Sequence, residues 1–241
     1  MCTVTFIPVD DRVYITSNRD EHFTRKAALL PAVHQLESGR VVFPKDGNAG
    51  GTWIAMHNNG NAMVLLNGAF KRHEISGPYR KSRGLVFLEI FDAISPVERF
   101  NNIHLGAIEP FTLVAWVKHT LWEMRWDGAE KYILPVSATR PAIWCSATLY
   151  DEVVIEKRKE WFDNWLQENP SPHPEAIREF HEFAGDGDAN NDLRMNRDGI
   201  SKTVSITGME LSADNAVMHY KDLDSGMQNI NQWIYANNSF T

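Results

Sequence analysis

The residues best suited to chemistry lie at the start of the chain: Cys2, directly behind Met1, and the run Asn18-Arg19-Asp20-Glu21. Removal of Met1 would leave a thiol that carries its own amine base. A free cysteine has a pKa of about 8.5, so only a few per cent is thiolate at neutral pH, and a neighbouring cation such as Arg19 raises that fraction. An α-amino group titrates at about 7.7–8.0, close to where a general base working at neutral pH should sit. Cys2 freed of Met1 thus combines nucleophile and base, and Asp20 would orient the amine as the third group does in other triads. Cysteine is small enough at the second position for ordinary methionine removal to be expected. Each feature also has a plainer reading alone: a small apolar core cysteine, and a charged run in a solvated turn.

The elements that must position these groups are two strands. Cys2 to Ile7 and Arg12 to Thr16 are rich in β-branched and aromatic residues, and Pro8-Val9-Asp10-Asp11 between them carries turn residues, so the pair reads as a hairpin. An antiparallel register centred on that turn sets Cys2 opposite Asn18 or Arg19. Directly opposed Cβ atoms lie about 5 Å apart and diagonal ones about 7–8 Å, so sulfur, guanidinium and carboxylate can share one sheet end. A slip of one residue would turn the partners to the other face.

Met1-Cys2, Asn18-Arg19-Asp20-Glu21, Gly50-Gly51-Thr52-Trp53-Ile54-Ala55-Met56 and Leu65-Leu66-Asn67, in this order and spacing, resemble the NRDE proteins, also called the transport-and-Golgi-organisation family. That family in turn resembles the N-terminal nucleophile hydrolases, the superfamily of penicillin V acylases and bile-salt hydrolases. The likeness is specific over roughly the first seventy residues. It implies Cys2 as nucleophile, with Arg19 and Asp20 at the end of the second strand. The acylases keep two residues between their Arg and Asp, whereas here the two are adjacent, so Glu21 is an alternative for the acid. Asn67 resembles the acylases' oxyanion-holding Asn, a donor worth about 3–4 kcal/mol to an acyl-transfer transition state; equally, Asn67-Gly68 reads as a hairpin turn. Ser146-Ala147-Thr148 matches a family run in which Asn commonly follows Ser, so Ala147 removes a second amide that Ser146 or Thr148 would only partly replace. Arg197 and Lys202 are the nearest candidates for a C-terminal Arg of the acylases. Trp53, Phe70 and Tyr79 are candidates for lining an acyl pocket.

The chain of 241 residues, 43% hydrophobic, is long enough to bury a sizeable core as one domain spanning 1–241. Its formal charge of −7 argues against a nucleic-acid or anionic-membrane partner. No secretory leader or membrane span is evident, and a cytoplasmic location, which keeps a thiol reduced, is the expectation. Two cysteines give no disulfide framework; Cys2 and Cys145 can pair in principle, but a reactive terminal thiol and a buried Cys145 beside Trp144 is the expected arrangement. The alternating acids of residues 186–192 lack the Gly and Glu of a calcium loop, and the nine histidines form no zinc pattern, so no metal or other cofactor is expected. Trp161, Phe162 and Trp165 read as a core-facing helix stripe.

Further strands are predicted at 41–43, 52–56, 62–66, 111–118, 121–126, 132–134, 142–145, 204–206 and 216–220. Helical patterns run from Ser82 to Ile94 with a short continuation through Phe100, from the Asp151 cap to about Gln167, and from Pro174 through Phe183. Strand and helix blocks in this alternation give an α+β layered sandwich of mainly antiparallel sheets. The family resemblance implies its four-layer αββα form. The function expected is hydrolysis or acyl transfer at a linear C–N amide of a small-molecule substrate, through a thioester at Cys2. The resemblance also implies an alternative: a non-catalytic carrier or chaperone for haem or lipid on the same scaffold.

Overall fold

The computed structural model describes residues 3–74 and 77–235; Cys2, with Met1, lies outside the described residues. The chain starts with a hairpin of β1 (Thr3–Val9) and β2 (Arg12–His22), closed by a two-residue turn in which Asp10 takes a left-handed φ of 52°, a conformation that Asp tolerates better than most residues. Thr3 pairs with Asn18 and Val9 with Arg12. The predicted turn residues Pro8 and Val9 therefore belong to the strand, and β2 continues through the charged run that sequence reading had set at its close.

Sheet B comprises β3 (Leu29–Gln35), β4 (Arg40–Lys45), β5 (Ile54–His57), β6 (Ala62–Asn67), β7 (Phe111–Val117), β8 (Thr120–Trp126) and β9 (Lys131–Val136), in chain order. Sheet A runs β10 (Ala142–Cys145), β1, β2, β12 (Ser201–Leu211), β13 (Asn215–Asp222), β14 (Gln228–Ile234), with β11 (Asn196–Arg197) paired to β12. All the pairings within both sheets are antiparallel.

Alternation along the strands builds two cores. Val4, Phe6, Val13 and Ile15 face sheet B and join its apolar residues, with the Phe6 and Trp116 rings 5.8 Å apart across the sandwich. Ile7 and Tyr14 face the other way, onto Phe162, Ile177 and Phe180 of α3 (Glu152–Glu168) and α4 (Pro174–Phe183). Phe162 is buried while Trp161 and Trp165 pack against this second core, as the predicted stripe requires. On the far side, α1 (Arg83–Phe91) and α2 (Pro96–Asn102) cover sheet B through Phe87, Phe91 and Phe100. The result is the α+β sandwich of two antiparallel sheets between helices.

The helix starts follow local chemistry. Asp151 caps α3 by accepting the Val154 N–H at 2.9 Å, and Pro174 opens α4 where its missing N–H is harmless. Of the strands missed in sequence, β11 is only two residues long, and β3 and β14 lie at sheet edges, where exposed faces relax the apolar alternation and Pro31 is tolerated. Among the described residues no helix is long and apolar enough to cross a membrane.

Candidate active site

The charged run is not a solvated turn. β2 is central, flanked by β1 and β12, and Asn18, Arg19 and Asp20 are 0%, 2% and 4% exposed. Consecutive strand residues point to opposite faces, so Arg19 and Asp20 are not brought together as expected. Arg19 faces inward. Its guanidinium donates to Asp46 Oδ2 at 2.8 Å, lies 3.3 Å from Glu21 Oε1, and stacks 4.3 Å from the centre of the Trp53 ring. Asp20 faces the helices, where its carboxylate accepts the Tyr150 hydroxyl at 2.9 Å and the Thr203 hydroxyl at 2.6 Å. Glu21, two residues on from Arg19, shares the Arg19 side. Opposite this stretch the β2–β12 register shifts between Thr203 and Ser205, an irregularity of the kind that re-aims side chains.

Asp46, between the strands predicted at 41–43 and 52–56 and not singled out in sequence, is the hub of the inner cluster. Besides Arg19 it accepts the Arg25 Nε at 3.0 Å and Nη2 at 3.1 Å, and the Ala49 N–H at 2.7 Å. Burial alone would raise this carboxyl; the bonds from Arg25 and Ala49 and the charges of Arg25 and Arg19 outweigh it and hold the pKa below its ordinary value. The signal available in sequence was an Asp two places before Asn48 in a Gly-rich bend, which marks a turn without revealing what its carboxylate meets.

A cleft of about 350 Å³ opens beside this cluster, lined by Glu21, Asp46, Trp53, Asn67, Tyr79 and the start of α1 among others. The Gly-Gly-Thr-Trp run forms one wall because Gly51 touches α1 backbone: a Cβ there would sit 2.4 Å from the Gly84 carbonyl carbon. Asn67 ends β6, paired with Phe111, and is therefore not in a hairpin turn. Its main-chain carbonyl accepts the Ser146 hydroxyl at 2.9 Å, and Ser146 Oγ lies 2.9 Å from Thr148 Oγ1. Among the described residues no hydrogen bond is made to the Asn67 side-chain amide. Of the three aromatic candidates, Trp53 and Tyr79 line this cleft and Phe70 lines another, with Ala147 and Thr148.

The helix-facing side carries a second network that sequence reading missed. Arg158 is fully buried and donates to Thr3 Oγ1 at 2.5 Å, the Asn191 carbonyl at 3.1 Å and the Asp192 carbonyl at 2.7 Å. Its guanidinium stacks 3.7 Å from the Tyr150 ring centre, and Arg197 approaches the same ring at 5.3 Å. Arg197 also donates to the Leu149 carbonyl at 3.0 Å, whereas Lys202 pairs with Asp224 at the surface. His181 is buried between Asn18 Oδ1 at 2.6 Å and Thr5 Oγ1 at 2.8 Å. Asn18 Oδ1 only accepts, so His181 Nδ1 carries the proton and Nε2 accepts from Thr5. Burial, with Arg158 nearby, lowers this imidazole to about 3.

Cys145 pairs with Thr3 across β10 and β1 and is partly buried, less so than expected, next to a buried Trp144. Burial pushes its thiol pKa up in spite of the Arg158 charge and the Thr3 contact. The acid-rich stretch 186–192 is a connection tied to α3 by the Asp186–Lys157 ion pair and within itself by Asn191 donating to Asp188 at 2.7 Å. Among the described residues no three His, Cys, Asp or Glu side chains group as metal ligands.

Residues 1–203 match the family model described as Transport and Golgi organisation 2. No individual curated protein matches the sequence. The fold is similar to that of a Caenorhabditis elegans ortholog of N-acylethanolamine-hydrolyzing acid amidase (12% identity, TM-score 0.54, covering 86% of this chain and 92% of that one). It is also similar to two variants of the conjugated bile acid hydrolase of Clostridium perfringens, both at 10% identity: one has a TM-score of 0.57 with 99% and 97% covered, the other 0.56 with 98% and 97%. Identities this low speak to architecture alone. The chain has the architecture of the N-terminal nucleophile hydrolases, and it belongs to the Transport and Golgi organisation 2 family.

Proposed function

We propose that the chain, once Met1 is removed, is an amide hydrolase or acyltransferase that acts on a small linear C–N bond through a thioester at Cys2. The observation that supports this most is the buried Arg19 guanidinium, clamped by Asp46, Glu21 and Trp53 beside a cleft that contains Asn67. The described register pairs Thr3 with Asn18, as the sequence expectation of Cys2 beside Arg19 requires.

In this reading the α-amine takes the Cys2 thiol proton and the thiolate attacks the amide carbonyl carbon. The carbonyl electron pair moves to oxygen, where the Asn67 amide and a backbone N–H hold the charge. The pair returns, the C–N bond breaks, and the leaving nitrogen takes the proton back from the α-ammonium. Water, or an acceptor amine, then attacks the thioester with the α-amine again as base, releasing the acid or new amide and restoring the thiol. Arg19 favours the thiolate as a neighbouring cation. Asp20 acts as a positioning residue from the opposite face, where Tyr150 and Thr203 fix the end of β2. Ser146 holds the Asn67 backbone in place from β10's end.

The cleft favours this reading over carriage of haem or lipid, because ion pairs rather than a continuous apolar surface line it. Turnover of short acyl p-nitroanilides tests the proposal. Cys2→Ala should abolish it, Arg19→Met should lower it by about tenfold or more, and Cys145→Ser should leave it. Undiminished turnover in Cys2→Ala would reject the assignment.

A further inference from the structure

The charge arrangement of the cleft narrows what it can hold, an argument that rests on the hydrolase reading above. Its wall carries Glu21, Arg25, Asp46, Lys81, Arg83 and Glu109. Most of these satisfy one another: Arg25 binds Asp46 at 3.0 Å and approaches Glu21 at 3.6 Å, and Arg83 binds Glu109 at 3.1 Å. With Arg19, which joins the same network through Asp46 and Glu21, four cations meet three acids. Lys81 is the cation whose partner is not in the wall. It pairs at 2.7 Å with Glu89, an acid that Arg99 also shares.

The surplus sits where the backbone is already positive. Lys81 and Arg83 flank Ser82, the N-cap of α1, and the first turn of this helix contains no acid. The exposed N–H groups of a helix start favour anions, so two cations there oppose the local field unless a negative group joins them. Burial lowers the Arg83 pKa even with Glu109 against it, so that acid does not fully offset the desolvated charge.

One donor in the wall lacks an acceptor among the described residues. Trp53, 3% exposed and part of the cleft wall, has an indole N–H with no hydrogen-bond partner among the described residues. Buried N–H groups of this kind normally find an acceptor in the protein, in water or in a ligand. The apolar part of the wall is small: Ala49, Leu65 and the rings of Trp53 and Tyr79. At about 350 Å³ the cleft is at the lower end of ligand-site sizes. A long alkyl or steroid-like acyl group would strip water from the ion pairs and return no hydrogen bonds.

We infer that the cleft selects a small amide bearing a carboxylate, which Lys81 and the start of α1 receive while the amide carbonyl reaches Asn67. The carboxylate would compete with Glu89 for Lys81 and bring an acceptor into the cleft.

Calorimetric titration of the full chain with glutaramate, N-acetyl-β-alanine, pentanamide and decanamide tests this without requiring turnover. The first two place the carboxylate on the acyl and the amine side; the last two are neutral. At least one anionic amide should bind about tenfold or more tightly than pentanamide, and Lys81→Met should remove most of that advantage. Lys81 is partly exposed, so this variant should fold; an unchanged melting temperature checks it. Arg83→Gln, read in the same way, should weaken the anionic amide more than pentanamide. Equal affinities, tighter binding of decanamide, or a preference that survives Lys81→Met would overturn the inference. Failure of the hydrolase reading shows separately, as an unreactive Cys2 in a chain that still binds the anionic amide.

Discussion

At the scale of single residues, the decisive feature is that a guanidinium and several carboxylates are buried together and so depend on one another. Removing one partner of a buried ion pair costs about 3–5 kcal/mol because the other charge is left without compensation. Arg19→Met should therefore lower the unfolding free energy by about that much in urea titration, in addition to its effect on turnover; a loss under 1 kcal/mol would show that Asp46 and Glu21 do not rely on it. Asp46 gives a pH signature. Its folded pKa is depressed, so its stabilising contribution is present above the unfolded value of about 3.9 and is lost as pH falls through the lower folded value. The melting-temperature gap between wild type and Asp46→Asn should be wide at pH 7 and should close below about pH 4. Residue types were legible where chain order carried them: Arg19, now seen in the buried cluster, and Asn67, now seen in the cleft wall, could be picked from motif and spacing. Asp46, Tyr150 and Thr203 could not, because their partners lie 27, 130 and 183 positions away along the chain.

The same contrast appears among the elements. Pro174 and Asp151 announce their helices through a ring that fixes φ and a carboxylate that caps, both local effects, and α4 spans the residues that sequence reading assigned to it. Edge strands β3 and β14 escaped notice because half-exposed positions place few demands on residue type. The adjacency of Arg19 and Asp20 misled for a related reason: without knowing that β2 stays extended through His22, neighbours in sequence pass for neighbours in space. Gly-Gly-Thr-Trp was read as a family mark, and the structure supplies its physical reason in the contact between Gly51 and Gly84. Gly51→Ala would force its Cβ against α1 backbone, and overpacking of this kind costs about 1–3 kcal/mol. The urea midpoint should drop accordingly, and affinity for small amides should fall as α1 moves from the cleft; an unchanged midpoint would contradict the close approach. Asp151→Ala, by comparison, should cost about 1 kcal/mol and leave the cleft intact.

For the molecule as a whole, the two faces of sheet A divide the work. The inner face holds Arg19 against Asp46 and Glu21 of the cleft wall, and the outer face ties the start of β1 to the helices through Thr3, Thr5, Asn18, Arg158 and His181. His181 makes that tie sensitive to acid. Its folded pKa is lowered to about 3, so its contribution is fully present above the unfolded value of about 6.5 and declines as pH falls, because only the unfolded chain takes up the proton. Unfolding free energy should decline by about 1.4 kcal/mol per pH unit from this residue between those limits, and His181→Gln should flatten the profile while lowering its neutral plateau. The α+β class was legible from the alternation of strand and helix blocks and the four-layer form only through the family resemblance, whereas the pairing of β10 beside β1 was not legible, since nothing local links Cys145 to Thr3. That pairing sets Cys145 beside Thr3, the residue after Cys2 in the chain, which makes thiol identity the sharpest question. Intact-mass analysis of protein made in cells, followed by brief exposure to an acylating amide and peptide mapping, addresses it directly. The account predicts a chain without Met1 that gains one hydroxylamine-labile acyl group on Cys2 and none on Cys145; retained Met1, or acylation confined to Cys145, would contradict it.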